Sequence, residues 1–168
     1  MRRVSRGFIV FILAFTVYVV YTGSISGYDI VTGVIVSAVI GALFSNIVVE
    51  KPIKVVDPRR WLHLLVYALL YFTYYEAKAH IDVIRRILHP KLPVNPAIVE
   101  APYRIESDFA ITAVANSITN TPGTVVVDID PSKKNFYIHW ISAKTLDPLE
   151  ARREIFETFE KHAKRIFE

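Results

Sequence analysis

The chain has no cysteine among its 168 residues, so it can hold no disulfide framework, thiolate nucleophile, iron–sulfur cluster or Cys-based zinc site. No redox chemistry of its own is expected. Charge is scarce too. Only 21% of residues are Asp, Glu, Lys or Arg, against 52% hydrophobic ones and a mean hydropathy of +0.34, a balance too apolar for an ordinary soluble domain of this size. The charge that exists is unevenly placed: residues 1–90 hold ten Lys/Arg against five Asp/Glu, and residues 91–168 hold ten against eleven. The positive excess thus flanks apolar segments, whereas nucleic-acid binding needs a basic face on a folded domain. No nucleic-acid partner is expected; a lipid bilayer is.

Gly7 to Tyr28 contains no charged residue and follows Arg2, Arg3 and Arg6, which predicts a first membrane span over about 7–28. A basic start with small residues at Ser24 and Ser26 also imitates a signal peptide, but a second apolar segment follows almost at once. That segment, 30–49, is also uncharged and is long enough, at about 1.5 Å per residue, to cross one hydrocarbon thickness. Gly33, Ser37 and Gly41 recur every four residues along it and predict a helix-packing face, for the first helix or for a neighbouring protein. The link between the spans carries no Lys or Arg, whereas Lys51, Lys54, Arg59 and Arg60 follow the second. By the positive-inside rule the N-terminus and the region after residue 50 are cytoplasmic.

A third helix is predicted over about 61–88. Its first fifteen residues are uncharged but short for a span, and they carry Trp61, Tyr67, Tyr71, Tyr74 and Tyr75, a composition of the membrane interface. A crossing would put Arg85, Arg86 and Lys91 outside, against the rule that the first two helices obey. An amphipathic helix along the cytoplasmic face is therefore favoured over a third span.

Proline-punctuated residues 89–96 end this membrane domain, 1–90, and open a cytoplasmic domain, 91–168. Its pattern reads β-α-β-β-α. An extended run covers 97–105, and Ser107 caps a helix with Ile111, Val114, Ala115 and Ile118 on one face. The β-branched strand 124–130 and the strand 136–141 then form a hairpin. Asp147, Pro148 and Glu150 open a last helix with a capping box, and Glu157–Lys161 and Glu160–Lys164 pair on its wet face. A right-handed crossover would set the first two strands side by side and parallel, giving a three-stranded mixed sheet with helices on one face. The fold class is thus a membrane protein with a transmembrane hairpin, a third amphipathic or membrane helix, and a small α/β domain.

Neither uncharged segment offers an ion pathway, because ionisable groups inside the bilayer are what usually mark one. Glu76 is the one carboxylate embedded among apolar residues. An interfacial surface charge is favoured for it over a proton relay, since Lys78 at i+2 lies on another face. Of five histidines only His80 and His89 are close, nine apart, which is not a zinc spacing. His139 should be a half-exposed sheet residue. Asp128 and Asp130 share a strand face but lack a pocket for paired-carboxylate chemistry. No metal, cofactor or catalytic residue is expected. Thr121-Pro122-Gly123-Thr124 reads as a helix stop that re-aims the chain into a strand, with Gly123 free to take a positive φ.

From Ala115-Asn116-Ser117-Ile118-Thr119-Asn120-Thr121-Pro122-Gly123-Thr124-Val125-Val126-Val127-Asp128, followed by Phe136-Tyr137-Ile138-His139-Trp140-Ile141, the chain resembles the E subunit of Mrp-type multisubunit Na+/H+ antiporters. Relatives of that subunit also occur in membrane-bound energy-converting hydrogenases and related respiratory complexes. Asn120 departs from the apolar residue expected before Thr-Pro-Gly-Thr. The order of parts agrees along almost the whole chain. The resemblance implies a non-catalytic structural or assembly subunit in the cell membrane, partnered by larger subunits that carry the ion path. It gives Pro122, Gly123, Thr124 and Asp128 fold-defining roles and supplies no catalytic residue. A stand-alone membrane-tethered sensor domain, or direct proton transfer through Glu76, would be the alternatives.

Overall fold

Arg2–Thr22 (α1) and Gly27–Val48 (α2) are two helices long and apolar enough to cross a membrane. They belong to a computed structural model that describes residues 2–48 and 57–168, with side chains from Ser5 onward. Val49, Lys51 and Lys54, to which the sequence pattern assigns roles, lie outside the described residues. At the hairpin tip Asp29 accepts hydrogen bonds from the hydroxyls of Ser24 (2.5 Å) and Ser26 (2.6 Å), so its charge is held at the end of α2. Gly33, Ser37, Gly41 and Ser45 are buried, and a Cβ added at Gly41 would stand 2.7 Å from the Gly7 carbonyl oxygen. The small-residue stripe is therefore filled by α1. Of the two occupants that the sequence allows for this face, the hairpin uses its own first helix.

The compact units of the chain are Met1–Asp57 and Pro58–Glu168. The long third helix thus belongs by its contacts with the α/β domain, and the boundary lies before it rather than at residue 90. It runs as Pro58–Leu70 (α3), a π-helical turn Tyr71–Tyr75, and Glu76–Ile87 (α4). Its inward stripe includes Tyr67, Tyr71, Tyr75, Ala79 and Val83, all at least partly buried. A spacing of four drifts around an α-helix of 3.6 residues per turn. The wider π turn corrects that drift midway and keeps the stripe facing the domain.

The sheet consists of Ala97–Pro102 (β1), Thr124–Asp130 (β2) and Asn135–Trp140 (β3), in the order β1-β3-β2, and every pairing is antiparallel. This corrects the mixed sheet expected from a simple crossover. β1 and β2 do run in the same direction, but β3 lies between them, so β2 is an edge strand and not the central one. The reason is visible in the side chains. β3 brings fully buried Phe136 and Ile138 to the helical side, and β1 adds Val99 and Ala101, and β3, the one strand of the three with no exposed residue, takes the position flanked on both sides. The opposite face, with Ile98 and Val125 across from His139, is open.

Asp108–Asn120 (α5), Pro148–Ile155 (α6) and Glu157–Phe167 (α7) cover the helical side. The sequence predicts a single helix after Asp147; the chain forms two, broken at Phe156 with φ −141° and ψ 0°. The break lets Phe156 turn inward, edge-on to Phe136 at 5.3 Å, where each ring contributes roughly 1.5–3 kcal/mol by burial. The Asp147 cap is made, its carboxylate accepting the Leu149 and Glu150 N–H groups at 3.0 and 2.8 Å. Glu150 does not close a capping box. It accepts the Thr145 hydroxyl, which in turn accepts the Asp147 N–H. Ser107 occupies the N-cap position of α5 without a side-chain cap bond; Glu168 instead accepts the Glu106 and Ser107 N–H groups. Glu157 pairs with Lys161 at 3.2 Å as expected, but Glu160 is buried with Arg152 and is not on the wet face with Lys164.

Candidate functional site

The Thr121–Thr124 string and the tyrosines of the third helix meet at one seam, where the long helix lies on the ends of α5 and α7. Proline at 122 forces Thr121 out of helical geometry, to φ −76° and ψ 120°, and Gly123 follows at φ +99°, a conformation that suits glycine. This turn leaves the last carbonyls of α5 to be satisfied by other donors. The Ser117 carbonyl accepts the Thr121 hydroxyl (2.7 Å), the Thr121 N–H (3.2 Å) and, from the long helix, the Tyr71 hydroxyl (3.1 Å). The Thr124 hydroxyl donates to the Ile118 carbonyl at 2.7 Å, and the Gly123 carbonyl accepts the Ile141 N–H at 2.9 Å. Tyr67 and Ser117 share a hydroxyl–hydroxyl bond of 2.5 Å.

Around these bonds Phe159 of α7 sits among three tyrosine rings, with centroids 6.4, 5.8 and 5.3 Å from Tyr67, Tyr71 and Tyr75. Aromatic pairs at such distances add about 0.5–1.5 kcal/mol each beyond area burial. Tyr67 also stacks on His162 at 5.0 Å. Burial pushes the Tyr67 hydroxyl up to about 12, and burial likewise raises Tyr71, so both stay protonated and serve as donors at neutral pH. His162 is held below its ordinary value by burial, then by Arg165 and His63, which keeps the ring neutral against Tyr67. The seam is thus a hydrogen-bonded, aromatic latch. It presents no ionised nucleophile or base.

The remaining sequence candidates lie apart from this latch or at its rim. Asp128 sits on edge strand β2 just after a bulge between Val126 and Asp128, and its carboxylate accepts the Ile129 N–H at 2.8 Å. A bulge leaves backbone groups unpaired, so a short acceptor at this position has a structural use. Asp130 closes the β2–β3 turn by accepting the Ser132 and Lys133 N–H groups. Glu76 is partly buried beside the latch, its carboxylate 3.3 Å from His80 Nδ1. His139 is half-buried on the open sheet face. Gly33, Ser37 and Gly41 belong to the hairpin and have no part in the seam. No group of three or more His, Cys, Asp or Glu able to hold a metal ion occurs among the described residues.

Tyr67, Tyr71, Tyr75 and Phe159 are the residues whose joint role the sequence hid. The tyrosines read as membrane-interface aromatics, and only their spacing of four hinted at a common face. If the Thr121–Thr124 turn positions the latch, Gly123→Ala should loosen it. An added Cβ would stand 3.2 Å from Ile141 Cγ2 and 3.6 Å from Val83 Cγ2 of α4, on a backbone with positive φ. A loss of about 1–3 kcal/mol is expected, read as faster amide hydrogen exchange at 117–124 and in α4. Unchanged exchange in α4 would show that the turn does not hold the helix.

The model of the Na+/H+ ion antiporter subunit family, MNHE, matches residues 11–166. The chain is 33% identical over 139 residues to the E1 subunit of the Na+/H+ antiporter of Staphylococcus haemolyticus, covering 80% of this chain and 81% of that one. It is 36% identical over 83 residues to the E subunit of the Na+/H+ antiporter of Alkalihalophilus pseudofirmus. That second match spans about half of each chain, 49% and 51%. Among solved structures, a chain of the membrane-bound sulfane sulfur reductase, an archaeal respiratory membrane complex, superposes with a TM-score of 0.83 at 32% identity. The superposition covers 97% of this chain and 99% of that one.

Proposed function

The chain belongs to the Na+/H+ ion antiporter subunit family, and from that premise we propose that it is a non-catalytic assembly subunit of a multisubunit antiporter module in the cell membrane. The hairpin α1–α2 spans the bilayer, with the N-terminus and the unit 58–168 on the cytoplasmic side. The observation that carries the accessory role is the absence of Asp, Glu, Lys, Arg and His from 7–28 and 30–48. A chain that conducts ions through its own spans needs such groups there, so the ion path runs through partner membrane subunits. Nor does the latch supply chemistry: the Tyr67 and Tyr71 hydroxyls are protonated and hydrogen-bonded, and the Glu76 carboxylate lies against His80.

The likeness over almost the full chain to a subunit of a respiratory membrane complex favours a second setting, in which the antiporter module is built into a redox complex such as a membrane-bound hydrogenase. One isolation separates the possibilities. Extracted in mild detergent, the protein should co-migrate with larger membrane subunits, and its deletion should abolish most ion-coupled activity. Metal clusters in the co-purifying assembly indicate the redox complex, and their absence the antiporter. A small monodisperse protein, or a fully active assembly lacking this chain, would overturn the proposal.

A further inference from the structure

We propose that the long helix of the C-terminal unit is a lipid-seated anchor, lying in the cytoplasmic headgroup region with its outer face in the bilayer and its inner face on the α/β domain. The inference rests on the membrane-subunit reading above and concerns a surface that reading does not use. The inner face is occupied along nearly the whole helix. Near its start the Arg60 guanidinium donates to the Ile166 carbonyl at 2.8 Å. Tyr67, Tyr71 and Tyr75 follow in the latch, and near its end Arg86 donates to the Ser142 hydroxyl at 2.7 Å and the Pro93 carbonyl at 3.0 Å. From residue 60 to residue 86 is about 40 Å at about 1.5 Å per residue, more than the roughly 30 Å hydrocarbon core. A helix bound to a charged domain over that length cannot cross without drawing the domain into lipid. A third span is therefore excluded by the contacts, independently of the charge rule.

The outer face is apolar and exposed. Trp61, Leu65 and Phe72 are 54%, 58% and 71% exposed, and Leu62, Leu69, Ile81, Ile84, Ile87 and Leu88 continue the exposed surface. An uncovered apolar face of this extent requires a partner. Charge identifies the partner as lipid. Residues 58–91 hold six Lys/Arg against two Asp/Glu, and four remain once Arg60 and Arg86 are assigned to the domain side, whereas 92–168 hold nine against eleven, so the unit's positive charge follows the long helix. A basic amphipathic helix with a Trp on its apolar side is what an anionic leaflet attracts.

The absence of cysteine makes the test clean. Spin labels are placed one at a time in the full chain at Leu65→Cys, Phe72→Cys and Ile84→Cys, with Val39→Cys near the middle of α2 and Lys133→Cys on the β2–β3 turn as references. Accessibility to oxygen and to a water-soluble nickel chelate is measured in vesicles of mixed anionic and zwitterionic lipid, and again in the intact complex. The three α3–α4 labels should lie about 5–10 Å below the headgroups, shallower than Val39, with Lys133 in water. Lys78→Glu combined with Arg85→Glu should move the Ile84 label outward in anionic vesicles. The proposal falls if the labels are as wet as Lys133, if they are as deep as Val39, or if both reagents are excluded in the complex, which would mean a protein partner covers the face. A water-exposed Val39 label would instead overturn the membrane hairpin itself.

Discussion

Glu160→Ala is expected to destabilise the C-terminal unit by about 3–5 kcal/mol, the usual cost of removing one member of a buried ion pair. Glu160 is 3% exposed and Arg152 7%. One carboxylate oxygen of Glu160 accepts the Arg152 guanidinium and the other accepts the backbone N–H of Arg104. The pair therefore ties α6 and α7 to the segment between β1 and α5. Alanine would leave the Arg152 guanidinium nearly buried with only Glu157, 3.2 Å away on its rim, and would orphan the Arg104 N–H as well. Because a domain has only about 5–15 kcal/mol in total, most of the margin would go. Glu160→Gln should cost less, since an amide oxygen can still accept from Arg104. Combining Glu160→Leu with Arg152→Met should recover much of the loss, because apolar pairs of similar volume often replace buried ion pairs without penalty. Thermal unfolding of the full chain in detergent, followed by circular dichroism, ranks the three. An unchanged midpoint in Glu160→Ala would mean that water reaches the pair and that the burial assigned to it is wrong.

That same residue marks where sequence legibility ends. Glu160 and Lys164 stand at i,i+4 beside Glu157 and Lys161, and local spacing treats the two pairs alike. Only the turn at Phe156, which rotates α7 relative to α6, decides that Glu160 faces inward. Local chemistry was readable in part. The Asp147 cap, the proline-forced exit at Thr121, the positive φ of Gly123 and the two helices long and apolar enough to span follow from a few adjacent residues, whereas the Ser107 cap and the Glu150 capping box, equally local, are displaced by Glu168 and Thr145. Long-range choices were not readable. The alternation of β1 suits a neighbour on either strand, so its pairing with β3 rather than β2 depends on Phe136 and Ile138 needing the central position. The latch was half legible: the Thr-Pro-Gly-Thr string was conspicuous, but Tyr67, Tyr71 and Tyr75 read as interface aromatics until a π turn placed them on one face.

In the hairpin, Gly41→Leu should force α1 and α2 apart, and the geometry sets the order of a short series. A Cβ at Gly41 would meet backbone atoms, the Gly7 oxygen at 2.7 Å and the Phe11 nitrogen at 3.3 Å, and a helix backbone cannot step aside. A Cβ at Gly33 would meet the Tyr18 ring at 2.6 and 2.9 Å, but a ring can rotate towards lipid. Overpacking costs about 1–3 kcal/mol per site and more where nothing can yield, and between helices in a bilayer no hydrophobic drive opposes separation. The expected order of disruption is Gly41→Leu, then Gly41→Ala, then Gly33→Ala. Spin labels at Ile12→Cys and Val36→Cys, both outward-facing, report it as a longer and broader distance distribution in nanodiscs. A superimposable distribution for Gly41→Leu would refute the close approach. Assembly gives the second readout, because the stripe is consumed within the hairpin and contacts with neighbouring subunits must use its outer surfaces. Should Gly41→Leu keep the hairpin closed yet release the protein from its complex, the small-residue face would be a partner site after all.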